Sequence, residues 1–466
     1  MTPTTHGSKL SALALLLLLA APHASAADGA GGLWRSEGYG YLLEVRGDRF
    51  ELFETTAVSC LSSLTGAYQG GALTIESFGS APFTTDPDGK TRRLQMPGTA
   101  SALVFHPADA KPAACSAAPV NTPLANFDVY WTTYAEHYPF FLLKGIDWQA
   151  VRERFRPRVT DATTPAELFE IFRDMIAPLA DAHTSVSAPD LKLRYSGFRE
   201  TDSSPLSKAF RTDEARARRD ALVARTQEIV TGKYLEGEPQ SYCNGHLRFG
   251  RIAGGIGYLM IDGFSGYAEG GYAASEKALS EALDAIFGQD PPLAGLVIDV
   301  RLNNGGADPL GLWIASRLTD REYLAFTKEA VIATTPEVRW SAGQPSRVVP
   351  SGRPRFLGPV AELIGPRSIS AAETFTMALM DRQPAVRRFG EPTQGVFSDV
   401  LGRKLPNGFR FGLANEQFLT ADGRTFDGPG IPPDVAVPVF PQSDLDAGKD
   451  GALEAAIAWL KAPAPR

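Results

Sequence analysis

The run Leu296-Val297-Ile298-Asp299-Val300 limits the possible folds more than any other stretch of this chain. It is apolar apart from Asp299 and shows no alternation, so a strand built from it has to be covered on both faces. The helix-patterned segment Ala273 to Phe287 precedes it, and before that comes Ile256-Gly257-Tyr258-Leu259-Met260-Ile261. Strands joined by such crossovers predict an α/β core with parallel pairs, spanning residues 251–445. A second apolar run, Val360 to Ile364, leads through Gly365-Pro366-Arg367-Ser368-Ile369 to Ser370 and the helix-like stretch Thr374 to Met380.

Ser370 is therefore expected at a strand-to-helix junction. A hydroxyl there is partly exposed, and the free N–H groups of the first turn, beginning with that of Ala371, can stabilise a developing oxyanion. Ser370 followed by Glu373 also fits a helix capping box. The run at 296–300 ends in Arg301-Leu302-Asn303-Asn304-Gly305-Gly306. Ligands of α/β folds sit beyond the C-terminal ends of strands, and paired glycines allow close approach of backbone N–H groups. Gly305 or Gly306 is thus a candidate second oxyanion donor, and Arg301 and Asn304 are candidates for binding substrate. A free hydroxyl is a poor nucleophile near neutral pH and needs a base. The candidate is His183, where the helical pattern of 168 to 179 breaks, with His246 as its rival. The acid that would orient the imidazole is Asp427, whose loop position equally suits a turn, with Glu416 as runner-up.

The chain begins with Lys9, an apolar core from Leu10 to Ala21, and Ala24-Ser25-Ala26, which predicts a secretory signal peptide over 1–26 and export to the periplasm or outside the cell. No later stretch is long and apolar enough to span a bilayer, so no stable membrane insertion is expected after cleavage. With 466 residues, 44% hydrophobic and 21% charged, the chain can build two or three domains with substantial cores. A formal net charge of -7 without a clustered Lys/Arg run argues against a nucleic-acid partner. Of three cysteines, Cys60 and Cys115 form a plausible disulfide, leaving Cys243 alone. His106, His137, His183 and His246 are scattered, and no metal-binding motif is present, so neither metal nor cofactor is expected.

Alternation from Gly32 to about Pro107, with a turn at Arg46-Gly47-Asp48, predicts a small antiparallel β domain over 27–110. Helical spacing of Phe127, Tyr130, Trp131 and Tyr134, and a second start at Thr164-Pro165, predict a helical subdomain over 120–200. A connecting helical segment follows over 201–250, and a C-terminal helix and tail over 446–466.

Together these stretches resemble the tail-specific, or C-terminal-processing, serine peptidase family, especially its tricorn-like branch. The resemblance covers most of Asn126 to Phe440. It rests on Asp181-Ala182-His183-Thr184, Gly295 to Arg301 with Asn303 to Gly306, Ser368 to Glu373, Gly390-Glu391-Pro392-Thr393, Asp422-Gly423-Arg424 and Gly430-Ile431-Pro432-Pro433-Asp434. It implies that Ser370 is the nucleophile. One branch of the family activates that Ser with a Lys, but Val396 occupies the corresponding position here. The tricorn-like branch uses a His and an acid instead, roles that carry over to His183 and Asp427. The gap from Pro189 to Gly250 is too short for the PDZ domain common in the family. The implied fold is α/β, a crotonase-like β-spiral core with an N-terminal helical subdomain, here preceded by the small β domain. The implied partner is a protein or peptide substrate; the oligomeric state is left open. The alternative function is a non-catalytic ligand- or peptide-binding protein on the same fold. Gly263-Phe264-Ser265-Gly266-Tyr267 superficially suggests an α/β-hydrolase elbow but lacks its second glycine.

Overall fold

The computed structural model describes residues 29–75 and 79–462. The segment expected to be a signal peptide lies outside the described residues. At the N-terminus, eight antiparallel strands from Gly32–Ser36 to Leu103–Pro107 each pair with the next, and the last pairs with the first. Alternate residues such as Leu43, Val45, Phe50, Leu52 and Phe83 fill the interior. A sheet closed in this way has no exposed edge. Arg46 pairs with Arg49 across the turn, where Gly47 takes φ 60°, a conformation that favours glycine. A Cys60–Cys115 disulfide ties one barrel strand to the segment that leaves the barrel.

The helices Pro123–His137, Trp148–Phe155 and Pro165–Ile176 pack around buried Phe127, Tyr130, Tyr134, Trp148 and Phe172. The third is stopped at its N-terminus by reciprocal bonds: Thr164 N–H donates to Glu167 (2.8 Å) and Glu167 N–H to the Thr164 hydroxyl (3.3 Å). Part of the stretch expected to be helical up to residue 200 differs. Ser185–Ala188 and Leu193–Ser196 form a hairpin that pairs with Arg410–Ala414. Ser185–Ala188 lies inside this sheet, between Leu193–Ser196 and Arg410–Ala414, and the second of these partners is a strand far along the chain.

The core sheet has seven strands in chain order: Gln240–Tyr242, Leu247–Ile252, Ile256–Ile261, Gly295–Asp299, Val360–Ile364, Arg387–Gly390 and Val435–Ala436. The first three pair antiparallel and the rest parallel. Every residue of Gly295–Asp299 and of Val360–Ile364 is buried, as the unalternating pattern requires. Leu296 and Ile298 face the cluster that contains the helices Tyr272–Phe287 and Ala371–Ala378, while Val297 faces the helix Gly451–Lys461. The chain is thus a mixed α/β protein with a β-barrel at its N-terminus. Among the described residues, no helix is long and apolar enough to cross a membrane.

Candidate active site

Ser370 immediately precedes the helix Ala371–Ala378 and holds φ 58°, ψ -120°. A non-glycine residue rarely accepts such a backbone, and the strain persists only where surroundings impose it. Glu373 imposes much of it. Its carboxyl is fully buried and accepts four bonds: from Thr393 hydroxyl (2.6 Å), Gly395 N–H (2.7 Å), Val396 N–H (2.9 Å) and Ser370 N–H (3.2 Å). Burial pushes this carboxyl up to about 7, against the pull of those donors. Ser370 and Glu373 form the expected capping box, yet the Glu373 N–H bonds the Ser370 carbonyl at 2.7 Å and the Ser370 hydroxyl donates to no protein acceptor.

Gly305 fits against this turn. A Cβ there would lie 2.7 Å from Ser370 Cβ and 3.1 Å from Ala371 N. Asn303 holds the loop, taking the Gly305 N–H on Oδ1 at 2.8 Å and the Ile369 N–H on its carbonyl at 3.0 Å. The Gly305 N–H is therefore already engaged. Among the described residues, the N–H groups of Ala371 and Gly306 go to no protein acceptor, so these two remain as candidate oxyanion donors.

His183 follows Ala180, a left-handed residue (φ 45°) that ends the preceding helical turn. Asp181 secures it by accepting the His183 N–H (2.8 Å) and the Tyr138 hydroxyl (2.8 Å). The imidazole is buried and its Nδ1 has no partner. Burial lowers its pKa, while the charges of Asp181 and Asp399 oppose that shift. Burial thus favours the neutral ring, the form a general base requires, with acids nearby to favour the proton it gains. The segment 393–399 serves both candidates: Val396 O accepts the Ser370 N–H (3.2 Å), and Asp399 lies within electrostatic reach of His183. No hydrogen bond joins the Ser370 hydroxyl directly to the ring.

Other expected roles are not met by the geometry. Asp427 does not hydrogen-bond His183. Its Oδ2 takes the Thr425 hydroxyl (2.8 Å), its Oδ1 faces the Phe397 N–H at 3.5 Å, and burial lifts it to about 8. A short Asp arm is satisfied within its own turn. Glu416 is further removed from that role, bound by Tyr39 hydroxyl (2.5 Å), Asp399 N–H (2.7 Å) and Lys328 (3.0 Å). His246 Nδ1 pairs with Asp262 at 2.7 Å beside the 263–266 loop and does not bond Ser370. Arg301 cannot bind substrate: it is 1% exposed, clamped between Asp299 (2.5 Å) and Asp450 (2.7 Å), and stacked on Phe440. Asp450 lies 149 residues away, which is why position at a strand end was misleading. Asn304 is exposed on the loop.

Sequence reasoning missed three supporting residues: Asp181, Asn303 and the full role of Glu373. An acid two residues before the candidate base, and an Asn before paired glycines, were the available signals. Val396 is buried. The buried Lys328 Nζ meets Asp399 (2.5 Å) and Glu416 (3.0 Å), whose charges raise its pKa and keep it cationic.

Residues 255–437 match the model of peptidase family S41, and residues 119–177 match the tricorn protease C1 domain. The chain is similar to the crystal structure of a candidate peptidase from Parabacteroides merdae, with 26% identity and a TM-score of 0.59, covering 74% of this chain and 98% of that one. It is also similar in fold to mature CPAF complexed with lactacystin, with 13% identity and a TM-score of 0.52, covering 73% and 97% respectively. No curated protein matches the chain.

Proposed function

We propose that this chain, a serine peptidase carrying a family S41 domain, is an exported endopeptidase that works through an acyl-enzyme on Ser370 with His183 as general base. The observation that carries the reading is the strained Ser370 turn, with its hydroxyl donating to no protein acceptor and two unengaged N–H groups, of Ala371 and Gly306, beside it. His183 takes the hydroxyl proton as Ser370 Oγ attacks the peptide carbonyl. The carbonyl oxygen gains charge and is held by Ala371 and Gly306 N–H. His183 then returns the proton to the leaving amine, and water attacks the acyl-enzyme by the same route in reverse. Asp181 and Asp399 favour the imidazolium formed midway. Protein or peptide substrates follow from the family. Export rests on the Leu10 to Ala21 core and Ala24-Ser25-Ala26, and the Cys60–Cys115 disulfide suits an oxidising compartment.

Ser370→Ala and His183→Ala are each expected to abolish cleavage of an unfolded protein substrate, and a fluorophosphonate is expected to label Ser370 in the wild type alone. Full turnover in either variant, or labelling elsewhere, overturns this mechanism. Sequencing the N-terminus of protein recovered from the expression host tests export: processing after Ala26 supports it, and intact Met1 in the cytosol refutes it.

A further inference from the structure

The two N–H groups beside Ser370 are not equally secured. That of Ala371 is fixed by the helix it begins. That of Gly306 belongs to a peptide flanked by glycines at φ 91° and φ 138°. With no Cβ on either side, such a peptide is free to turn over. A trans peptide points its N–H opposite to its carbonyl. Whatever holds the Gly305 carbonyl therefore decides whether the Gly306 N–H faces the Ser370 turn.

That carbonyl accepts the Phe264 N–H at 2.8 Å, and the Phe264 carbonyl accepts the Ala307 N–H at 2.9 Å. The two bonds make a short parallel bridge between Phe264 and Gly306, in which Gly306 turns its own N–H away from Phe264. A Cβ on Gly306 would stand 2.4 Å from Phe264 O, so the approach requires glycine. Phe264 lies in a loop, and side chains have to hold that loop in place. Its ring packs on Phe375 of the helix that follows Ser370, at 5.6 Å. Tyr267 hydroxyl donates to Gly263 O (2.7 Å), and Asn244 Nδ2 donates to Gly266 O (2.9 Å). His246 holds the near end twice: its Nδ1–H donates to Asp262 Oδ1 at 2.7 Å, and its carbonyl accepts the Asp262 N–H at 3.1 Å. A carboxylate acceptor makes the first of these the strongest of the side-chain anchors. A Cβ on Gly263 would lie 3.7 Å from both His246 Nδ1 and Gly305 O, so the imidazole stands directly behind the bridge.

We propose that segment 262–267 is a latch for the oxyanion site and that His246, acting through Asp262, is its positioning residue. It keeps the Gly305 carbonyl on Phe264 and so keeps the Gly306 N–H turned toward the reacting carbonyl. The role rests on the reading of Ser370 as nucleophile. His246 touches no reacting atom and works through the backbone alone.

The test measures kcat and KM for fluorescein-labelled casein, the rate of fluorophosphonate labelling and the thermal midpoint of the full chain carrying His246→Ala or His246→Asn. His246→Ala should lower kcat and the labelling rate together by at least about tenfold, short of the roughly 100- to 1,000-fold cost of removing an oxyanion donor outright. KM should stay at its wild-type value, because the donor acts in the transition state. Asn places an amide N–H where Nδ1 stands and should recover most of the loss. In a Ser370→Ala background, His246→Ala should leave casein affinity unchanged. Wild-type kcat and labelling in His246→Ala, a loss confined to KM, or His246→Asn as impaired as His246→Ala overturns the latch while Ser370 stands. Wild-type protein that resists labelling at Ser370 overturns the nucleophile reading, and the latch with it.

Discussion

Replacing Gly305 by alanine probes the nucleophile turn without removing any polar group. The added methyl would stand 2.7 Å from Ser370 Cβ, 2.8 Å from Ile369 O and 3.1 Å from Ala371 N. The first of these is about 0.7 Å inside the 3.4 Å at which ordinary contact begins, and none of the atoms met is the end of a flexible side chain. Either the 303–306 loop or the Ser370 turn has to move. A displacement approaching 1 Å at reacting groups lowers rates by roughly 100-fold, equivalent to about 2.7 kcal/mol at about 1.36 kcal/mol per tenfold. Alanine at φ 91° adds backbone strain of about 1–3 kcal/mol. Gly408→Ala separates the two effects, because Gly408 has φ 87° and nothing within 4 Å of an added Cβ. Hydrolysis of fluorescein-labelled casein, fluorophosphonate labelling rate and thermal midpoint should be measured on both. Gly305→Ala should lose stability and about 100-fold in both reactions, and Gly408→Ala should lose stability alone. A folded Gly305→Ala protein with more than a third of wild-type activity would refute the proposed packing of glycine against nucleophile.

Asp427 has its pKa raised from 3.8 to about 8 by burial, so the folded state retains a proton that the unfolded chain releases. Its stabilising share is complete below about pH 4 and is lost as pH rises toward 8, at up to about 1.4 kcal/mol per pH unit. Asp427→Asn should therefore flatten the decline of the thermal midpoint between pH 5 and 8; an unchanged slope would contradict the assignment. Lys328→Met leaves Glu416, 1% exposed, without its cation and should cost about 3–5 kcal/mol in urea unfolding. Adding Glu416→Leu should recover most of that loss, and a single variant as stable as wild type would dismiss the pair. Converting both Cys60 and Cys115 to Ser opens a loop with a sequence separation of 55 and should destabilise the barrel by about 4 kcal/mol; an unchanged unfolding midpoint under oxidising conditions would count against a structural role.

Much of the core was legible because its signals are local. Ile256–Ile261 and Val360–Ile364 coincide with their apolar runs, and the turn at Gly47 and the helix start at Thr164 announce themselves through a few neighbouring residues. Arg301 shows the opposite case. Nothing near it in the chain reveals that Asp450 will meet it in the interior, so a residue that looked ready for substrate proved to be part of the scaffold. Asp427, by contrast, satisfies its carboxyl locally, with Thr425 two residues away, and does not bond the imidazole.

Residue order alone determined the two-sided burial of the central strands, the strand-to-helix junction at Ser370 and the glycines that can approach it. Those properties depend on hydrophobic pattern and backbone freedom over a handful of positions. Tertiary structure decided which glycine keeps a free N–H, that Glu373 would anchor the turn with four bonds, and that segment 393–399 would serve both Ser370 and His183. The physical reason is distance along the chain: hydrogen bonds and charges act through space over a few ångströms, between groups whose separation in sequence carries no trace of their meeting.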